Sequence, residues 1–144
     1  MHDSFEVSLK IRRPIAQVFQ AVADPAQLSR YFTLSATAPL TRPGTVRWAF
    51  DEMPEGFDVQ VIEAVENDRI VLEWAGGRTY QTRIEIKFRV LDANNTMVSI
   101  IESGWREETD LAVSAGNAGG WMHMMCSLKA LLEWNIKLRE GGAR

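Results

Sequence analysis

From Ser114 to Gly141 the apolar positions recur at helical spacing. Trp121, Met124, Met125, Leu128, Leu131, Leu132 and Ile136 share one broad face when each residue turns about 100°. His123, Ser127, Lys129, Glu133 and Lys137 fall largely elsewhere. Ser114 reads as the N-cap, and Gly141-Gly142 as the stop. Gly116, Gly119 and Gly120 weaken the first turn, so the firm helix is expected to begin near Trp121. An apolar face of this length needs an equally long partner surface, and the rest of the chain supplies the strands for it.

Phe5, Val7, Leu9 and Ile11 alternate with Glu6, Ser8, Lys10 and Arg12, the period of a half-buried strand. Pro14 opens a helix that carries Ile15, Val18, Phe19 and Val22 to about Ala23. Asp24-Pro25 breaks it and starts a second, short helix to about Tyr31, with Asp24 as N-cap. Thr33 to Gly44 reads as turns. Val46, Trp48 and Phe50 form the next strand, and residues 51–56 a hairpin tip. Phe57, Val59, Val61 and Val65 keep one parity, which Glu63 breaks. Ile70 to Trp74 follow the Asn67-Asp68 turn, and Tyr80 to Val90 follow Gly76-Gly77. Met97 to Ser103 make the last strand, whose adjacent Ile100 and Ile101 leave its parity open. One strand, two short helices, five strands on short turns and one long helix predict an α+β fold. A curved antiparallel sheet of about six strands would grip the C-terminal helix. Such a sheet does not close on itself and tends to leave a cavity beneath the helix.

Length and composition fit one domain over residues 1–144: 46% hydrophobic, 24% charged. A net charge of −3 gives no electrostatic reason to bind nucleic acid or an anionic membrane. No long apolar run and no signal-like N-terminus stand in the sequence, and Cys126 is the single cysteine. A cytoplasmic location is expected.

Several motifs then carry a resemblance. They are Arg13-Pro14-Ile15-Ala16-Gln17-Val18-Phe19, the Asp24-Pro25 break before Tyr31-Phe32, Ser103-Gly104-Trp105, and Gly120-Trp121 followed by Leu128, Leu131, Leu132 and Glu133. In order and spacing they resemble the START-like, or SRPBCC, superfamily. Within it they resemble bacterial relatives of the co-chaperone that activates the heat-shock protein 90 ATPase. The resemblance spans essentially the whole chain. It implies the helix-grip fold, shared with birch-pollen allergens and polyketide cyclases. Family members usually carry a tryptophan where this chain has Tyr31-Phe32, and Trp134 and Asn135 are unusual in the tail; both departures bear on the cavity mouth.

The chemistry on offer is sparse. His2, His123 and Cys126 have no metal-ligand spacing, and His123 and Cys126 read as a surface histidine and a buried thiol. No nucleophile elbow exists, and the glycines of 116–120 lack a P-loop lysine. No metal and no cofactor are expected. Aromatic and thioether side chains point instead to an apolar pocket. Its lining is expected from Trp48, Trp74, Tyr80, Trp121, Met124 and Leu128, with Tyr31 or Phe32 at the entrance. Polar residues at apolar positions are the sharper hints. Asn135 lies in the apolar arc of the helix, Glu63 has the parity of Val61, and Glu102 that of Val98 and Ile100. A buried carboxylate is costly without a purpose.

Three functions follow. The leading one is a non-catalytic binder of a small apolar or amphipathic molecule. The second is a cyclase- or dehydratase-like enzyme using Glu102, Glu63 or Tyr80 as acid or base. The third is an interaction module with a chaperone partner. A homodimer stays open beside all three.

Overall fold

The computed structural model describes residues 4–75, 79–106 and 111–138. Strand β1 (Ser4–Ile11) turns every second side chain inward, as its alternation predicts. Helix α1 (Ile15–Ala23) starts after Pro14 and buries Val18, Phe19 and Val22. Asp24 ends α1 and caps α2 (Pro25–Leu28), its Oδ1 accepting the Ala26 N–H at 3.1 Å. The capped break brings Tyr31 and Phe32 back under the sheet.

Strand β2 (Ser35–Ala36) lies in the stretch read as turns, and two residues are too few to show a period. It pairs with β3 (Gly44–Phe50) and brings the sheet to seven strands. Strand β4 (Met53–Val65) starts inside the expected hairpin tip, with Met53 opposite Phe50. Pairing with β5 (Arg69–Trp74) begins only at Val59. Pro54 therefore breaks no ladder bond on that side. Gly56 is required: its φ is +76°, and a Cβ there would lie 2.8 Å from the Trp48 carbonyl. β6 (Thr82–Asp92) and β7 (Asn95–Ser103) complete the sheet, in order β1-β7-β6-β5-β4-β3-β2 with every pair antiparallel. One row of facing positions joins Phe5, Glu102, Ile84, Leu72 and Val61 across five strands. The Gly76-Gly77 turn lies outside the described residues.

Helix α3 (Leu111–Trp134) covers the inner face of this sheet. Trp121, Met124, Met125, Leu128 and Leu131 are buried, as the periodicity predicts. The helix begins earlier than expected, so Ser114 sits within it rather than capping it, and its glycines are helical. Packing of the apolar face overrides their poor propensity. The C-terminus also differs. Asn135, at φ +54°, ends the helix, its N–H donating to the Leu131 carbonyl at 3.0 Å. Asparagine is one of the few side chains that tolerates this left-handed conformation. Ile136 is consequently 52% exposed, and Gly141-Gly142 lies outside the described residues.

A polar clasp pins this end of α3 to the β1–α1 corner. Glu133 accepts from the Arg12 backbone N–H at 2.8 Å, from Arg12 Nε at 2.6 Å and from Lys129 Nζ at 2.6 Å. Lys129 also donates to the Lys10 carbonyl at 2.7 Å. Burial alone would raise the Glu133 pKa, but the Arg12 N–H, the Lys129 ammonium and the Arg12 guanidinium outweigh it and pull it to about 2. Among the described residues no helix is long and apolar enough to cross a membrane.

Candidate functional site

At the other end of α3 a pocket of about 270 Å³ opens between the helix and the β3–β4 hairpin. Phe32, Phe50, Phe57, Trp74 and Trp121 form its apolar wall, with Met53 beside them and Glu52, Asn117, Gly116 and Gly120 completing the lining. Gly116 and Gly120 are one turn apart, and a Cβ on either would meet nothing within 4 Å. The glycines thus leave a gap in the side-chain cover of α3.

The five rings close a circuit. Centroid separations are 5.1 Å for Phe32–Phe50, 5.9 Å for Phe50–Phe57 and 5.4 Å for Phe57–Trp74. Trp74–Trp121 at 5.3 Å and Trp121–Phe32 at 5.6 Å complete it. Contacts of this length lie in the favourable range for aromatic pairs.

Behind this wall lies Glu102, 0% exposed and buried with Val98 and Ile100, which settles the parity the sequence left open. Its Oε1 accepts from Trp121 Nε1 at 2.9 Å and Asn117 Nδ2 at 3.2 Å. Its Oε2 accepts from Thr82 Oγ1 at 2.5 Å and Trp74 Nε1 at 3.1 Å. Three of these donors, Trp74, Trp121 and Asn117, also line the pocket. The carboxylate therefore fixes the orientation of the pocket wall. Among the described residues, these four donors engage both oxygens of the carboxylate.

The other expected site residues are distributed differently. Phe32, expected at the entrance, lies in the wall. Trp48 packs behind it, its ring 5.6 Å from Phe32 and 6.1 Å from Trp74. Its buried Nε1–H has no acceptor among the described residues. Met124 and Leu128 are core residues outside the pocket lining. Tyr31 is not at an entrance: it is 1% exposed and donates to the Ala21 carbonyl at 2.9 Å, and burial pushes its phenol pKa upward. Tyr80 precedes β6 instead of lying in it; the alternation continues past the true strand start. Its OH accepts from the Arg106 N–H at 3.4 Å, and the Arg106 guanidinium lies 4.7 Å from its ring centroid.

Glu63 is a correction of the same kind. A bulge between Val61 and Glu63 shifts the register and turns it to solvent. There it meets Arg69 Nε at 2.6 Å, a contact that lowers its pKa. Asn135 is exposed at the helix end, away from the pocket. Cys126 is exposed, not buried, and His123 is half-buried. Among the described residues no three His, Cys, Asp or Glu side chains gather as a metal site would require.

Sequence reasoning did not single out Phe50, Phe57, Met53, Glu52 and Asn117 for the pocket. Asn117 had one available signal: it precedes Trp121 by one helical turn and so shares its face.

Residues 12–133 match the family model described as Activator of Hsp90 ATPase homolog 1-like protein. No curated protein matches. Among solved structures, the protein SSP2350 from Staphylococcus saprophyticus is 21% identical, with TM-score 0.82 over 94% of this chain and 96% of that one. The Aha1 dimer from Colwellia psychrerythraea is 22% identical, with TM-score 0.78 over 91% and 96%. The di-domain ARO/CYC BexL from the BE-7585A biosynthetic pathway is 16% identical, with TM-score 0.77 over 92% of this chain and 47% of its own. At these identities the likeness establishes the fold, a helix-grip arrangement.

Proposed function

This chain belongs to the Activator of Hsp90 ATPase homolog 1-like family, and we propose that it binds a small apolar or amphipathic molecule in the aromatic pocket beneath α3, without covalent chemistry. The observation that carries this reading is the circuit of five rings around a space with few polar groups. Such a site draws its affinity from burial of apolar surface. Glu102, the one fully buried carboxylate among the described residues, is engaged by four donors. To act as a base it would have to break one of those bonds, which argues against the cyclase-like alternative despite the resemblance to BexL in fold.

The test is titration with N-phenyl-1-naphthylamine, a neutral probe that brightens in apolar sites, beside the Gly120→Leu variant. Leucine at position 120 has room to enter the pocket, because a Cβ there meets nothing within 4 Å. One-to-one binding to the wild type and its loss in a folded variant are expected. Equal binding to both would refute the pocket as the site. Native mass spectrometry of freshly purified protein would then show whether a ligand is carried through purification.

A second reading, an interaction module that pairs with a chaperone or with its own copy, has one feature in its favour. Trp134 and Ile136, at the end of the helix, are 63% and 52% exposed. Sedimentation of the wild type and a Trp134→Ser, Ile136→Ser variant tests the self-association arm, which predicts a dimer that the variant loses.

A further inference from the structure

Resting on the pocket reading above, we infer that Trp48 sets the depth of the pocket, so that the site takes a compact apolar segment of about ten carbons and shuts out longer ones. Three observations meet at this side chain. The first is where the pocket stops. On four elements a lining residue gives way, one inward side chain farther on, to a buried one. Phe50 gives way to Trp48 on β3, Phe57 to Val59 on β4, Trp74 to Leu72 on β5 and Trp121 to Met124 on α3. The four inner residues are at most 2% exposed, and none of them lines the pocket. All four belong to the core cluster that continues beneath α3, and Trp48 is the largest of them. The second observation is contact. The Trp48 ring stands at 83° to Phe32 and 82° to Trp74, with centroids 5.6 and 6.1 Å away. Both of those rings line the pocket, so the indole braces the wall from behind at two places. The residue facing Trp48 on β4 is Phe57, a third member of the lining.

The third observation is the chemistry of the side chain itself. The Trp48 Nε1–H is buried and has no acceptor among the described residues. A buried donor without a partner is unfavourable, and a phenylalanine or leucine would carry none. What tryptophan offers at this position is therefore its bulk, which is what a floor requires. Shortening it would strip no acceptor of its donor among the described residues. The volume then gives the limit. A cavity of about 150 Å³ holds the six carbons of benzene. In proportion, the 270 Å³ of this pocket holds about ten or eleven carbons. A longer molecule leaves its remainder at the mouth.

The experiment is a chain-length series, 1-hexanol to 1-tetradecanol in steps of two carbons, displacing N-phenyl-1-naphthylamine from the full chain. In the wild type, affinity should rise about fourfold per added methylene and level off at about ten carbons. Trp48→Ala and the milder Trp48→Leu should move that break by about two carbons or more, relaxation of the neighbours taking up part of the space. Ile86→Ala is the control. Ile86 is 1% exposed and faces Ile70, one inward position beyond Leu72 on β5. Its truncation opens the core elsewhere and should leave the break in place. Either folded Trp48 variant suffices, and the wild-type break is read without them. Three results would overturn Trp48 as the stop and leave the pocket standing. They are a steady climb to 1-tetradecanol in the wild type, an unmoved break in a folded Trp48 variant, and an equal shift in Ile86→Ala. Failure of both the naphthylamine and the alkanols to bind would overturn the pocket reading itself.

Discussion

Replacing Glu133 by Gln tests whether α3 is held at its far end by charge. The carboxylate side chain is 2% exposed and its pKa falls from 4.5 to about 2. At about 1.36 kcal/mol per pKa unit the ceiling is about 3 kcal/mol. The partners are partly solvated, with Arg12 51% and Lys129 28% exposed, so screening reduces the contribution to about 1–2 kcal/mol. The sign follows from proton uptake. A carboxylate depressed in the folded state is protonated first in the unfolded chain. Its stabilisation is therefore complete above the unfolded pKa and fades as pH falls from about 5 to about 2. Urea unfolding followed by tryptophan fluorescence at low salt reads this directly. At pH 7 the Gln variant should be about 1–2 kcal/mol less stable than the wild type, and near pH 2 the gap should close. A gap that stays constant from pH 7 to pH 2 would refute the electrostatic origin of the clasp.

Three further changes test the rest of the frame. Glu102→Gln places an amide N–H₂ among four donors and should cost about 3 kcal/mol or more, with a shift in tryptophan emission as Trp74 and Trp121 lose their acceptor; unchanged stability and emission would remove Glu102 from its role. Gly120→Ala, in a helix interior with no neighbour for the new methyl, should raise stability by about 1 kcal/mol, read as a higher Tm; a lower Tm would argue that position 120 is not helical. Asn135→Val forces a branched side chain into φ +54° and should cost about 1–2 kcal/mol, while Asn135→Gly should be nearly neutral; equal effects of the two would show that the backbone conformation is not what matters there.

The parts legible in the sequence are those that one period decides. The order of strands and helices was readable because each long element carries its own alternation, whereas the adjacent Ile100 and Ile101 left open which way Glu102 faces. Errors arose where a local event interrupts a period. A left-handed residue ends α3 at Asn135, and the alternation through Tyr80 outruns β6; at Glu63, whose direction the sequence left open, a bulge turns the side chain to solvent. The pocket wall was only half visible, for a different reason. Phe32, Phe50, Phe57, Trp74 and Trp121 come from a loop, three strands and a helix, and no local pattern states that they meet. The glycines of α3 read as a weak helix start because propensity is local, whereas the packing that holds them helical is not.

The buried acid and the aromatic pocket are best understood as one device. An indole N–H can only donate, and the two tryptophans that line the pocket both find their acceptor in the same buried carboxylate. A leucine at position 102 would pack well but orphan both N–H groups, and a glutamine would bring two donors of its own to a point already surrounded by donors. Only a carboxylate offers several acceptor directions and no proton at one place. The short Thr82 contact and the Asn117 amide use the directions the indoles leave. Under this logic Glu102 serves binding by keeping its lone pairs occupied. Removing it should loosen Trp74 and Trp121 together and change the shape of the pocket before it changes the sheet.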